Sequence, residues 1–311
     1  MKCRNPFMKG GMAYPCQQCM PCRINRRRIW THRLMLERYC HGDAAFVTLT
    51  YDDEHLPEVL DKETGELIST LVPKHLQDFL KRLRKAYAPE KIRFYGVGEY
   101  GDETHRAHYH LALFGYPQCQ WGTTRHTRSG KSCCWSCDTL RSQWGFGNIY
   151  CGELTPESSS YVAGYVTKKL TSKDDPRLKG RYPEFARMSN RPGIGANFMH
   201  DVSSSILEFN LEVSQGDVPS ALRHGKRLLP LGRYLRRKLR AHIGKSEETP
   251  AEVLEKLFSE MQPLREIAQA IADETGQKYG ETLKDLVIKQ SDQAVLNMEN
   301  RQKIFRQRKT L

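Results

Sequence analysis

The spacing of apolar and polar positions changes several times along the chain, and each change marks an element. Phe46-Val47-Thr48-Leu49-Thr50-Tyr51 is β-branched and aromatic and stops at Asp52-Asp53, which predicts a strand. Lys91 to Val97 and Ala107 to Phe114 predict two more, and Gly147 to Cys151 a short one. Asp61 to Gly65 is a polar turn placed for a hairpin tip. Pro73 then opens a helix with Leu76, Phe79, Leu80 and Leu83 at helical spacing and Pro89 beyond its end. Arg23 to Tyr39, with Ile24, Trp30, Leu34 and Met35 among arginines, reads as a basic helix. Pro156-Glu157-Ser158-Ser159-Ser160 carries capping chemistry for a helix running to Leu170. Tyr116 to Gly130 reads as a surface insertion, and Arg187 to Gly195 as a Gly/Pro loop. Beyond Pro250, the positions of Leu254, Leu257, Phe258, Ile267, Ile271, Leu283, Val287 and Leu296 predict amphipathic helices. Periodicity alone therefore gives a mixed α+β protein without internal repeats.

Composition narrows the class. The 311 residues suffice for one large domain or two smaller ones, and 39% hydrophobic with 27% charged residues describes a soluble protein. No apolar run approaches the ~20 residues of a membrane span, and the polar N-terminus predicts no secretion signal, so the chain is expected inside a cell. The formal net charge of +13 is unevenly placed. Arg23, Arg26, Arg27, Arg28 and Arg33 form one basic cluster and Arg301 to Lys309 another. From Arg223 to Lys245 there are nine Lys/Arg, including Arg236, Arg237, Lys238 and Arg240, and no acid. Clusters of this size suit a phosphate backbone, whose counterions they release, although a solvated basic face has the same composition. Arg236-Arg237-Lys238-Leu239-Arg240 lacks the broad apolar face that an anionic membrane surface would need.

The ten cysteines are more telling by spacing than by number. Cys16-x2-Cys19-x2-Cys22 and Cys133-Cys134-x2-Cys137 are knuckle-like and suit a soft ion, structural Zn²⁺ above all, or else remain free thiols. A tetrahedral site around Cys16, Cys19 and Cys22 needs a fourth ligand, for which Cys3, Cys40 and His41 are candidates. Gly244-Lys245-Ser246 resembles the end of a phosphate-binding loop, but the glycine required at position 239 is Leu239 and an arginine-rich helix precedes it.

Two further patterns carry chemistry. In a strand, His108 and His110 point to one face while Tyr109, Leu111 and Leu113 point to the other, so two imidazoles line up as half of a divalent metal site. Tyr161 and Tyr165, four apart, share one face of a helix. A metal clamp and two phenol nucleophiles are the parts needed to cut and rejoin a DNA strand through a tyrosyl-phosphate. Ordinary strand histidines and core tyrosines are the plainer alternative.

In order, Phe46-Val47-Thr48-Leu49-Thr50-Tyr51, Gly98-Glu99-Tyr100-Gly101, His108-Tyr109-His110-Leu111 and Tyr161-Val162-Ala163-Gly164-Tyr165-Val166-Thr167-Lys168-Lys169 resemble the motifs of the HUH endonuclease superfamily. Cys19-Met20-Pro21-Cys22-Arg23-Ile24-Asn25-Arg26-Arg27 and Ser189-Asn190-Arg191-Pro192-Gly193-Ile194-Gly195 sharpen the resemblance to the replication initiators of microviruses, the gokushovirus type in particular. The resemblance covers residues 14–200 well and 201–311 loosely. It implies an antiparallel sheet of about five strands flanked by helices, with the histidine strand central and the tyrosine helix beside it. It also implies three parts: a Cys/Arg-rich segment 1–45, an endonuclease domain 46–200, and a basic linker with a helical region 201–311. The implied activity is a metal-dependent, site-specific cut of origin DNA by Tyr161 or Tyr165, leaving a 5′-phosphotyrosine and a free 3′-hydroxyl, and rejoining after rolling-circle replication. His108 and His110 would hold Mg²⁺ or Mn²⁺ with Glu99 as third ligand, His105 being a second candidate. Related phage proteins commonly carry a basic residue between the tyrosines, where this chain has Gly164, so the cation beside the phosphate is expected from Lys168 or Lys169. The implied partners are origin DNA, single- and double-stranded, with a host helicase and DNA polymerase in the host bacterial cytoplasm. Two other readings share the basic clusters and cysteines: a zinc-stabilised nucleic-acid-binding protein that does not cut, and another HUH enzyme such as a plasmid initiator, relaxase or transposase.

Overall fold

A computed structural model describes residues 3–125, 132–165, 175–211 and 216–307. The hairpin β1 (Phe7–Lys9) and β2 (Met12–Tyr14) leads into helix α1 (Met20–Tyr39) and strand β3 (Ala44–Thr50). A second hairpin, β4 (Glu58–Leu60) and β5 (Leu67–Ser69), turns at the polar tip that the sequence marks. Helix α2 (Pro73–Ala86), strands β6 (Arg93–Tyr100) and β7 (Ala107–Phe114), helix α3 (Trp135–Trp144), strand β8 (Ile149–Glu153) and helix α4 (Pro156–Tyr165) follow. Strand β9 (Phe185–Met188), helix α5 (Met199–Glu208) and the hairpin β10 (Ala221–His224) and β11 (Arg227–Pro230) come next. The C-terminal helices are α6 (Gly232–His242), α7 (Ala251–Glu260), α8 (Gln262–Thr275) and α9 (Tyr279–Gln307).

The chain divides into two compact units, one of Arg27–Val202 with Arg223–Leu231 and one of Met1–Arg26, Ser203–Leu222 and Gly232–Leu311. The first holds a five-stranded sheet in the order β8-β3-β7-β6-β9, every neighbouring pair antiparallel. The histidine strand β7 lies at its centre. Strand alternation sends two sets of side chains to two cores. Ala45, Val47, Leu49, Tyr109, Leu111 and Leu113 pack with Leu76, Phe79, Leu80 and Leu83 of α2 and with Cys137, Leu140 and Trp144 of α3. On the other face Ala44, Tyr95, Val97, Ala112 and Phe114 pack with Leu34 of α1 and with Val162 and Ala163 of α4. Tyr109, between the two histidines, is fully buried in the first core. Its hydroxyl donates to the Val72 carbonyl at 3.0 Å, which fixes the start of α2 and leaves the opposite face to the histidines.

Two features depart from the sequence pattern. The Gly/Pro loop begins as an edge strand, with Arg187 and Met188 of β9 pairing with Gly96 and Tyr95. Half-buried on one edge, β9 shows no clean apolar alternation. The rest of the loop is pinned by charged side chains: Arg93 Nη2 donates to the Pro192 carbonyl at 2.7 Å, Arg33 Nε to Ile194 at 2.9 Å, and the Gly195 N–H donates to Glu37 Oε2 at 2.6 Å. Gly195 has φ +78°, and a Cβ there would lie 2.9 Å from the Arg33 carbonyl, so only glycine fits. Helix α3 has no counterpart in the sequence pattern, because its Cys, Ser and Trp content hides the helical period.

In the second unit, Arg4 binds Glu299 through Nε and Nη2, at 3.1 and 2.7 Å, and Asp292 at 2.9 Å. Arg236 and the buried Arg240 both bind Asp217, while Arg237 and Lys238 bind Glu247 at 2.7 and 3.1 Å. The basic run of α6 is thus committed to ion pairs within this unit. Among the described residues no helix is long and apolar enough to cross a membrane.

Candidate functional site

The site begins with register. Glu99 of β6 stands directly opposite His108 of β7, and Thr48 of β3 opposite His110, so all four side chains share the face that α4 covers. Glu99 Oε1 lies 2.9 Å from His108 Nε2 and 3.0 Å from His110 Nε2. Glu99 and His110 are buried, at 4% and 5% exposure, whereas His108 keeps an open side. His105, the other candidate third ligand, sits exposed in the β6–β7 turn outside this cluster.

The hydrogen bonds test whether these residues suit a cation. His108 Nδ1 lies 3.0 Å from the Arg106 carbonyl, which can only accept, so Nδ1 carries the proton. In a neutral ring, Nε2 then presents a lone pair to the Glu99 carboxylate, acceptor against acceptor. A proton or a metal ion must lie between them. The second nitrogen of each ring is engaged in the way metal-ligating histidines favour, with His110 Nδ1 held 2.8 Å from Thr48 Oγ1. Burial raises the Glu99 pKa and lowers that of His108, yet the His–Glu contacts outweigh it, leaving Glu99 below and His108 above their ordinary values. One carboxylate oxygen and two imidazole nitrogens, all within 4.8 Å, are a donor set that fits a divalent ion.

Helix α4 brings Tyr161 to this cluster. Its hydroxyl lies 3.5 Å from His110 Nε2, and its ring meets the His110 ring edge-on at 5.1 Å and the Phe46 ring at 6.1 Å. Phe46, which no sequence motif assigns to the site, stacks on His110 at 5.7 Å. Tyr161 is 39% exposed, so a phosphodiester can approach its oxygen from solvent. Tyr165 is the last described residue of α4, one helical turn beyond Tyr161. Lys168 and Lys169 lie outside the described residues. A cation that the sequence places on the DNA-binding surface comes close instead. Arg27 is on the stripe of α1 that continues through Trp30 and Leu34 into the core, and its Cδ would be 3.4 Å from a Cβ at Gly164. Burial lowers the Arg27 pKa. Arg23 and Arg28 of the same helix are exposed, and Arg26 reaches Gln17 at 3.3 Å.

The cysteines form two further clusters. Cys16, Cys19 and Cys22 are joined by Cys3, while Cys40 contacts only the Leu36 carbonyl of its own helix and His41 lies beside Glu37. Backbone N–H groups of Cys16, Gln18, Cys19 and Arg4 point at these sulfurs at 3.3–3.5 Å. Burial pushes the Cys16 thiol up, but the N–H groups of Cys19 and Gln18 bring it down to about 6. The second cluster gathers Cys133, Cys134 and Cys137 with Cys119, which sequence spacing does not reveal because 13 residues separate it from the nearest of the three.

The same arrangement of strands and helix has relatives among known proteins. The family described as replication-associated protein of the ORF2 type matches residues 44–170, the stretch from β3 through the tyrosine helix. Replication-associated protein VP4 of Bdellovibrio phage phiMH2K is 34% identical over 211 residues, 67% of this chain and 65% of that protein. Replication-associated protein ORF2 of Spiroplasma virus 4 is 36% identical over 188 residues, 59% of this chain and 56% of that protein. The chain belongs to the microvirus-type replication-associated proteins. A third member of the family, replication-associated protein ORF4 of Chlamydia phage 1, is 31% identical over 171 residues, 50% of this chain and 38% of that protein. The chain spans less than two thirds of the length of each of these relatives. No solved structure matches it.

Proposed function

We propose that the protein initiates rolling-circle replication of a small phage genome by cutting one strand of origin DNA through a tyrosyl-phosphate and rejoining it when a round ends. The observation that carries this reading is the tyrosine hydroxyl 3.5 Å from an imidazole that shares a carboxylate oxygen with a second imidazole. Glu99, His108 and His110 would hold Mg²⁺ or Mn²⁺. Such an ion neutralises charge on the scissile phosphate as a Lewis acid.

The remaining chemistry belongs to the chain. A phenol with a pKa of ~10 is a poor nucleophile at neutral pH, so its developing phenolate needs positive charge close by. The Tyr161 oxygen attacks phosphorus, the bond to the 3′-oxygen breaks, and that oxygen takes up a proton as the phenol loses one. The products are a 5′-phosphotyrosine and a free 3′-hydroxyl for a host polymerase, with a host helicase opening the duplex. Bond energy is kept in the phosphotyrosine, so the reverse attack rejoins the strand without ATP. Tyr165, on the same helix, takes the second attack when one copied genome must be closed as the next begins. Arg27, together with Lys168 or Lys169, supplies the cation that Gly164 omits. Arg23, Arg26 and Arg28 grip the backbone, and zinc on Cys3, Cys16, Cys19 and Cys22 holds the segment from which they project. The setting is the host bacterial cytoplasm.

The test is nicking of supercoiled origin DNA with Mn²⁺ or Mg²⁺. His108→Ala and His110→Ala are expected to abolish nicking while retarding the same DNA in a gel as wild type does. Full nicking in EDTA would overturn the metal-dependent mechanism. Tight DNA binding without any nicking, whatever the metal, would leave a binding protein that does not cut.

A further inference from the structure

We propose a second structural metal site, a zinc ion held by Cys119, Cys133, Cys134 and Cys137 between the end of the histidine strand and the start of α3. The proposal rests on geometry independent of the nuclease reading. Zinc–sulfur bonds of ~2.3 Å in a tetrahedron set the sulfurs about 3.8 Å apart. Cys119 Sγ lies 3.7 Å from Cys133 Sγ and 3.8 Å from Cys134 Sγ, and all four sulfurs fall within 4.8 Å of one another. A disulfide would need a separation of ~2.05 Å, and all ten cysteines are free. Four sulfurs at tetrahedral spacing select zinc or an iron–sulfur centre.

The surroundings are those of thiolates. Cys134 is the N-cap of α3 and Cys137 lies in its first turn, where unpaired N–H groups and the helix dipole favour negative charge. The Arg125 N–H donates to Cys133 Sγ at 3.2 Å, and the Thr124 hydroxyl lies 3.2 Å from Cys137 Sγ. A fifth thiol, Cys151 of β8, is also fully buried nearby, but it is not one of the four. It meets the insertion through its backbone, donating its N–H to Thr124 Oγ1 at 2.7 Å and accepting the Thr124 N–H at 3.1 Å. The ion would therefore close a loop whose far side is already stitched to the edge strand of the sheet. That strand carries Tyr150, whose ring meets Phe46 at 6.0 Å beside the histidines.

Elemental analysis of full-length protein purified under reducing conditions tests the assignment. Wild type is expected to carry two tightly held zinc ions, and Cys119→Ser one, with Cys19→Ser also carrying one and the double variant none. Cys151→Ser should keep both. An unchanged zinc content in Cys119→Ser, loss of zinc in Cys151→Ser, or iron in place of zinc would each overturn the proposal. If Cys119→Ser does not fold, wild-type protein loaded with Co²⁺ decides instead. Two four-thiolate cobalt centres per chain, seen by their visible ligand-field bands, support the site, and a single one refutes it.

Discussion

At the scale of single residues, the orientation of His110 depends on one hydroxyl, that of Thr48 at 2.8 Å from its Nδ1. Thr48→Val keeps the shape of the side chain but removes that hydroxyl. Metal affinity should fall by about 10–100-fold, measured by titrating nicking against Mn²⁺, while binding to the DNA is unchanged. An unaltered metal titration would mean that Thr48 does not position the ring. The tyrosines make a sharper case. Tyr161→Phe and Tyr165→Phe should each still form a covalent adduct on a single-stranded origin oligonucleotide, and the double variant none, whereas a cut followed by rejoining should need both phenols. Peptide mapping of the trapped adduct tells the schemes apart, because a phosphotyrosine found on only one residue would defeat alternation. Of this site, His108-Tyr109-His110 is legible in the sequence because strand alternation is strict, and Glu99 because it ends the neighbouring strand. The register that sets Thr48 against His110 and places Phe46 on the imidazole is not, since neither residue carries a motif of its own. Arg27 is hidden for another reason: as one of several arginines in a basic helix it looks like surface, and only the packing of α1 puts it on the buried stripe.

At the scale of elements, strong periodicity predicts its helices and strands well. Strand β7 matches its expected limits, α1 begins three residues earlier than expected, and α2 starts at Pro73. Strand β9 and helix α3 are not legible, because one is an edge strand inside a loop motif and the other a cysteine- and tryptophan-rich turn of chain. The motif Ser189 to Gly195 proves to be an anchor between elements. Glu37 of α1 is fully buried and receives Arg93 of β6 as well as the Gly195 N–H. Burial raises its pKa, but His41, the Gly195 N–H and Arg93 more than offset this and hold it below the ordinary value. A carboxylate whose folded pKa is depressed stabilises the protein at pH above its unfolded value of ~4.3, and that stability is lost as pH falls through the lower, folded value. Glu37→Ala, which strands Arg93 beside an unpaired N–H, should cost about 3–5 kcal/mol at neutral pH. Chemical denaturation of wild type and variant at a series of pH values checks both points. The gap between them should narrow below pH ~4, and a constant gap would show that Glu37 is not ionised in the fold.

Over the whole molecule, charge is legible in amount but not in use. The sequence counts every cation alike, yet Arg236, Arg237, Lys238 and Arg240 are already matched with Asp217 and Glu247, whereas Arg23 and Arg28 are exposed. Replacing Arg23 and Arg28 with Ala should lower the slope of log K against log salt by roughly one for each phosphate no longer neutralised. Arg240→Ala should instead lower the melting temperature, through an uncompensated Asp217, with a smaller effect on that slope. Fluorescence anisotropy across a salt series separates the two, and equal changes in slope would show that the ion pairs open on DNA. The pairs of Arg4 with Asp292 and Glu299 have a consequence of another kind, for they join residues separated by 288 and 295 positions. Ribosomes add roughly 5–20 residues per second, so Arg4 waits on the order of 15–60 s for its partners to be made. Strands β3 to β8 are synthesised early in that interval and can pair while the N-terminal segment is still unclosed. Vectorial synthesis thus lets the cutting half of the protein mature first, with the unit that unites both ends of the described chain sealed last.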